Sequence, residues 1–137
     1  MKTPAWGHGH AELRQQMVST QVRGRGVRDE RVLAAMEAVP REEFVPGGMA
    51  SHAYADCALS IGEGQTISQP YVVALSAEAA ALAPGDRVLE VGTGSGYAAA
   101  VYAELAGEVV SVERIANLAR AAAARLVRLG VDNVRVV

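Results

Sequence analysis

Residues 87–97 read "RVLEVGTGSGY", a short apolar run that passes directly into glycines at alternate positions, Gly92, Gly94 and Gly96. The run is too short for a helix and is bounded by turn residues, so a buried strand is predicted over 87–91. Glycine tolerates positive φ and leaves the backbone bare, so the loop can turn sharply and a ligand can lie against it. An Ala-rich helix is predicted next, over 96–105, and "EVVSVE" (108–113) reads as a second strand. Ile115, Leu118, Ala119, Ala122, Leu126 and Leu129 then mark one face of a long helix that Gly130 stops at its C′ position. "NVRVV" (133–137) opens a third strand.

Strands separated by helical crossovers of this length pair in parallel. The fold class is therefore α/β, a Rossmann-like doubly wound parallel sheet, in which the first strand-to-helix turn faces the crevice where ligands bind. Upstream, residues 10–69 read as an N-terminal helical extension with a loop segment, and 70–137 as the first part of the sheet domain. A helix is expected over 10–23 with Leu13, Met17 and Val18 on one face, ended by "RGRG" (23–26). A second starts at Asp29, a good N-cap, and carries Val32, Leu33, Met36 and Val39 until Pro40. Residues 41–67 read as loops with a short strand near 58–61. Pro70 suits the first turn of a helix reaching about Leu82, and "APGD" (83–86) makes a turn.

Half of the 137 residues are hydrophobic and a fifth are charged, which is enough apolar material for one packed domain. A net charge of −2 gives no electrostatic footprint for nucleic acid or an anionic membrane. The N-terminal "MKTPAWGHGH" lacks the apolar core of about 7–15 residues of a signal peptide, and no run approaches the ~18 residues of a membrane span. Cys57, the single cysteine, cannot form an internal disulfide, which favours a reducing, cytoplasmic setting; it reads as a small buried residue. His8 and His10 lack the spacing of metal ligands on a rigid element and read as part of a loose terminus over 1–9 and just beyond, so no metal site is expected.

The glycine loop departs from the dinucleotide fingerprint G-x-G-x-x-G/A, because its third small position is occupied by Tyr97. No G-x-x-x-x-G-K-[ST] occurs, which excludes a P-loop. The pattern is Glu90-x-Gly92-x-Gly94-x-Gly96, with Glu113 closing the second strand 21 residues after Gly92. A carboxylate at that place can accept hydrogen bonds from both hydroxyls of a ribose. This combination resembles class I S-adenosylmethionine methyltransferases. The resemblance implies S-adenosyl-L-methionine as cofactor, held by Glu90, Gly92, Thr93, Gly94, Ser95, Gly96 and Glu113.

A second cluster is more specific. "PREEFVP" (40–46), "AYAD" (53–56), "GQTISQP" (64–70), "VLEVGTGSGY" (88–97) and "VVSVER" (109–114) follow one another over roughly 12–137. Together they resemble the protein-L-isoaspartate O-methyltransferases, which methylate the stray carboxylate of isoaspartyl residues for protein repair. The resemblance implies isoaspartyl peptides or proteins as partners. It places Ser68 at the position of an active-site serine and Thr66 beside it, with Tyr54 and Asp56 in the surrounding substrate-side segment. The chemistry suits hydroxyls rather than a base, because a side-chain carboxyl with pKa near ~4 is already ionised at neutral pH. A negative oxygen attacking the methyl of a sulfonium neutralises charge, so alignment in a partly dehydrated pocket does most of the work. Ser68 also suits a cap for the helix at Pro70, a role compatible with the first. Asp56 reads as a turn or ion-pair residue.

Against that family the sequence stops inside the third strand, which makes the sheet incomplete. Two readings therefore stand together: an isoaspartyl methyltransferase or its remnant, and a non-catalytic module that pairs with a partner chain. A methyltransferase for another substrate is a lesser third, since fold does not fix substrate. The expected consequences of incompleteness are an exposed sheet edge, self-association and little activity alone.

Overall fold

A computed structural model of the chain describes Trp6 and residues 9–137; the expectations for His8 and for most of residues 1–9 lie outside the described residues. Helix α1 (Ala11–Met17) continues into a π-helical turn, Val18–Val22, and a short 3-10 turn, Arg23–Arg25. Gly26, at φ 103°, closes the path in the left-handed region. The inward face differs from the one read in the sequence. Met17 and Val18 are buried, but Leu13 is 44% exposed and Arg14 takes the inward place at 5%. Arg14 is drawn in because its Nε donates to the Glu37 carbonyl at 2.7 Å and its Nη1 to the Tyr54 hydroxyl at 3.0 Å.

Helix α2 (Glu30–Ala38) begins as its cap predicts. Asp29 Oδ1 accepts from the Arg31 amide at 2.9 Å, and Val32, Leu33 and Met36 are buried. Two 3-10 turns follow, Arg41–Phe44 and Gly47–His52, where the sequence reads as loop. Strand β1 (Leu59–Gly62) lies close to the strand predicted near 58–61, but its antiparallel partner β2 (Gln65–Ile67) carries a weak sequence signal. The hairpin turns at Glu63 and Gly64, both at positive φ. That geometry favours Asn or Asp before Gly, and Glu hides the turn.

Helix α3 (Pro70–Ala80) has Pro70 in its first turn and stops slightly before Leu82, with Ala81 left-handed at φ 51°. Then come β3 (Arg87–Val91), α4 (Tyr97–Leu105), β4 (Glu108–Val112), α5 (Ala116–Arg128) and β5 (Val134–Val136). The three strands form a parallel sheet in the order β3-β4-β5. Both crossovers step the same way across it, and with the usual right hand their helices fall on one face. On that face Val109 and Ser111 are fully buried. Alanines 99, 100 and 103 are buried in α4, which packs against both β4 and α2. The hydrophobic core is one cluster running from Met17 to Val131, so the N-terminal extension and the sheet share it.

The strand expected at 87–91 forms, and it lies unburied at the exposed sheet edge that was also expected. β3 is an edge strand, and Leu89 and Val91 are 68% and 81% exposed on the face opposite the helices. The entry to the sheet is braced by a close backbone approach. Gly107 and Glu108 both donate to the Asp86 carbonyl, at 2.9 and 3.2 Å. A Cβ on Gly107 would stand 2.9 Å from the Pro84 carbonyl oxygen. Gly107→Ala is therefore expected to cost roughly 1–3 kcal/mol, the range for overpacking. A urea melt measures it, and an unchanged midpoint would show that the two turns separate freely.

Candidate active site

The β3–β4 ladder runs on into the glycine loop. Gly92 and Thr93 both donate to the Val112 carbonyl, at 2.7 and 3.2 Å. Gly92, Gly94 and Gly96 all have positive φ, at 96°, 56° and 95°, which explains glycine at each alternate place. The intervening Thr93 and Ser95 are buried. Thr93 Oγ1 lies 2.6 Å from Ser111 Oγ, and Ser111 in turn donates to the Glu90 carboxylate. The Ser95 carbonyl accepts from Arg125 Nη1 at 2.8 Å.

Glu113 stands where the sequence predicts, at the end of β4, and its carboxylate is engaged on both oxygens. Oε1 accepts from the Gly94 amide at 3.0 Å and Oε2 from the Ile115 amide at 2.9 Å. The Ile115 amide is the first cause that holds its carboxyl below the usual range, and the Gly94 amide adds to it. Each oxygen keeps a further acceptor direction. The loop's own donors are largely spent: Gly92 and Thr93 on Val112, Gly94 on Glu113, and Gly96 on the Thr93 carbonyl at 2.9 Å. A loop that cradles a diphosphate needs such amides free. This one suits a neutral or cationic ligand.

The two sequence clusters meet in one cleft of about 360 Å³. Thr66 and Ser68 line it from β2 and the segment after it, opposite Glu90, Gly92, Thr93, Gly94 and Ser95. A Cβ on Gly94 would lie 3.4 Å from Ile61 Cδ1, so the hairpin leans on the glycine loop. Gly96 and Glu113 are not among the lining residues. Gly96 instead faces Leu126 and Ala122 of α5. Ser68 is exposed, and it does not cap α3: the N-cap is Gln69 and no side chain bonds there.

Tyr54 and Asp56 lie outside the lining. Tyr54 is buried, donating to Glu42 and accepting from Arg14, and burial followed by the Glu42 bond pushes its hydroxyl pKa up. Asp56 is an ion-pair residue, bonded to Arg25 and accepting from Gln69 Nε2 at 2.6 Å. Cys57 is exposed rather than buried, because it falls in the bend before β1. His10 lies 3.6 Å from Glu42, and no cluster of three metal-ligating groups occurs among the described residues. None of the described helices is long and apolar enough to cross a membrane. Ser111 and Tyr102 were not singled out in the sequence; only the strand register shows that Ser111 sits opposite Glu90.

Burial pushes the Glu90 pKa up to about 7, the nearby Glu113 charge adds to it, and the Ser111 hydroxyl opposes it. The unfolded chain therefore ionises first as pH rises. The stability associated with Glu90 is full below its ordinary value of 4.5, is lost as pH rises to about 7, and is flat above. Glu90→Gln should remove that slope and gain about 1–3 kcal/mol at pH 8. Urea melts at pH 5 and pH 8 test it, and an identical slope in the variant would assign the titration elsewhere.

The comparisons with known proteins agree with this architecture. The family model for protein-L-isoaspartate(D-aspartate) O-methyltransferase matches residues 12–137. A protein-L-isoaspartate O-methyltransferase of Methylorubrum extorquens is 62% identical over 120 residues, covering 88% of this chain and 53% of the relative. One from Rhodopseudomonas palustris is 59% identical over 126 residues, covering 92% and 51%. The chain thus spans about half the length of these curated relatives. A solved protein-L-isoaspartate O-methyltransferase superposes with a TM-score of 0.80 at 35% identity, over 90% of this chain and 41% of that one. A Plasmodium falciparum chain described as a beta-aspartate methyltransferase, in complex with S-adenosyl-L-homocysteine, superposes at 0.76 with 26% identity over 90% and 62%. With a family model matched over nearly its whole length and the same fold beneath it, the chain belongs to the protein-L-isoaspartate(D-aspartate) O-methyltransferase family.

Proposed function

We propose that the protein to which these residues belong transfers a methyl group from S-adenosyl-L-methionine to the free carboxylate of isoaspartyl residues. The observation that carries this reading is the shared cleft, with the Thr66 and Ser68 hydroxyls on one wall and Glu90 and the glycine loop on the other. The spent loop amides fit a cofactor without phosphate. Glu90, whose burial makes it reluctant to ionise, is stabilised as a carboxylate by a positive charge beside it. When bound, the cofactor supplies an electrophilic methyl group on a positively charged sulfur. The free acceptor directions on Glu113 suit sugar hydroxyls, the backbone of Gly92, Thr93, Gly94 and Ser95 supplies the floor, and Gly96 serves by turning the chain into α4. Ser68 and Thr66 orient the substrate carboxylate by hydrogen bonding, and no side chain need act as a base.

In this reading residues 10–69 form the substrate side and 70–137 the cofactor side, in a reducing, cytoplasmic setting suited to the exposed thiol of Cys57. The open face at Leu89 and Val91 supports a second property, association of this chain with itself or with another chain through the β3 edge. Light scattering checks it: Leu89→Lys is expected to reduce association, and a monodisperse monomer of the unsubstituted chain would remove the idea.

Two substitutions in a full-length counterpart separate the roles. Ser68→Ala should slow labelled-methyl transfer to an isoaspartyl peptide by about tenfold or more while leaving S-adenosyl-L-homocysteine affinity nearly intact. Glu113→Ala should weaken that affinity by roughly 1–3 kcal/mol in calorimetric titration, as for hydrogen bonds to a charged group. Loss of affinity in the Ser68 variant, or none in the Glu113 variant, would overturn the assignment.

A further inference from the structure

Arg41 is completely buried, and among the described residues it forms no ion pair. Its guanidinium is instead divided among three segments. Nε donates to the Ala53 carbonyl at 2.6 Å, in the turn before β1. Nη2 donates to the Ser68 carbonyl at 2.9 Å, in the connection between β2 and α3. The guanidinium carbon lies 4.8 Å from the centre of the Tyr97 ring, on the first residue of α4 directly after Gly96. Nη1 has no protein acceptor. Tyr97 is itself fixed, edge-on to Phe44 at 5.6 Å between centroids and with its hydroxyl 3.8 Å from the Met36 sulfur.

Ser68 belongs to neither strand nor helix, so the ladder of β2 and the first turn of α3 leave its backbone oxygen for another partner. That partner is Arg41, while the Ser68 side chain stays exposed at the cleft. A buried cation without a counter-ion is costly unless hydrogen bonds and a π face compensate it. Arginine suits this place because its planar fork presents donors at fixed angles to two carbonyls at once, with a flat face left for the ring. A lysine ammonium offers one point and no plane, and an apolar side chain would leave both carbonyls without a donor.

We infer that Arg41 is the positioning residue of this site, fixing the Ser68 segment relative to the glycine-loop helix by bonding the Ser68 carbonyl while its guanidinium lies over the face of Tyr97. The inference rests on the reading of Ser68 as the substrate-facing hydroxyl. It adds a residue that touches neither cofactor nor substrate and that ties the two walls of the cleft together.

Hydrogen–deuterium exchange of this chain tests it, together with fluorine NMR of a trifluoromethyl tag on Ser68→Cys in a Cys57→Ser background. In both Arg41→Met and Arg41→Lys, the amides of Ile67, Val72 and Val73, which are bonded in the β2 ladder and to the Gln69 carbonyl, should exchange about tenfold faster or more, as in local opening, while 108–112 keep their protection. The tag should change from one sharp line to split or broadened signal in both. Rescue by lysine would show that charge alone suffices and would overturn the fork. Equal loss of protection at these three amides and at 108–112 would reduce Arg41 to general support of the fold, which also overturns it. If Arg41→Met does not fold, Arg41→Lys decides alone. Labelled-methyl transfer, measured separately on the unsubstituted full-length counterpart, keeps the two readings apart. A loosened segment without methyl transfer removes the reaction and keeps the positioning; transfer with an unchanged segment removes the positioning alone.

Discussion

The parallel register of β3 against β4 is the constraint on which the site depends. Five consecutive pairs, from Arg87 with Glu108 to Val91 with Val112, place Glu90 opposite Ser111 and bring Glu113 level with the start of the glycine loop. The hydrogen bonds continue past the last pair into Gly92 and Thr93, so the loop is an extension of the ladder. A slip of one residue would turn Glu90 toward the open face and separate Glu113 from the Gly94 amide. The close approach of Gly107 to Pro84 and Asp86 sets that register from the other end of the strands.

The N-terminal half is held by a different kind of contact. Arg14 and Arg41 are both buried: Arg14 bonds the Glu37 carbonyl and the Tyr54 hydroxyl beside its pair with Glu42, and Arg41 bonds the Ala53 and Ser68 carbonyls without an ion pair among the described residues. Buried polar groups of this kind contribute little net stability over apolar packing, but a wrong arrangement leaves them unpaired at high cost. They therefore specify geometry. The segments they specify are those that carry Tyr54, Ala53 and Ser68, so the Ser68 wall of the cleft is built on a polar frame while the sheet side rests on apolar burial and backbone pairing.

The electrostatics of the cleft follow from these two halves meeting. Glu113 is satisfied by backbone amides and holds its charge, whereas the half-buried Glu90 nearby gives up its charge readily. Two carboxyls at the C-terminal ends of neighbouring strands thus differ, one keeping its charge on backbone amides and the other held back from ionising. The glycine loop between them contributes shape, because its amides are already engaged.

Much of the local structure was legible in the sequence because its causes lie within a few residues. The N-cap at Asp29, Pro70 in the first turn of α3, the left-handed stop at Gly130, the alternate glycines of the loop and the periodic face of α5 are all determined by near neighbours, and the strand–helix order over 87–137 follows from them. The tertiary structure decided what depends on distant partners. Arg14 displaces Leu13 from the inward face because its acceptors come from Glu37 and Tyr54, and β2 forms because β1 folds back on it across an unusual Glu-Gly turn. β3 is exposed although its composition is that of a core strand, because burial depends on which strands and helices lie alongside. Ser111 beneath Glu90, and Arg41 behind Ser68, are pairings across 21 and 27 residues of chain that no local pattern encodes. Residue type sets which bonds a group can make, and only the packed fold sets which partner is there to make them.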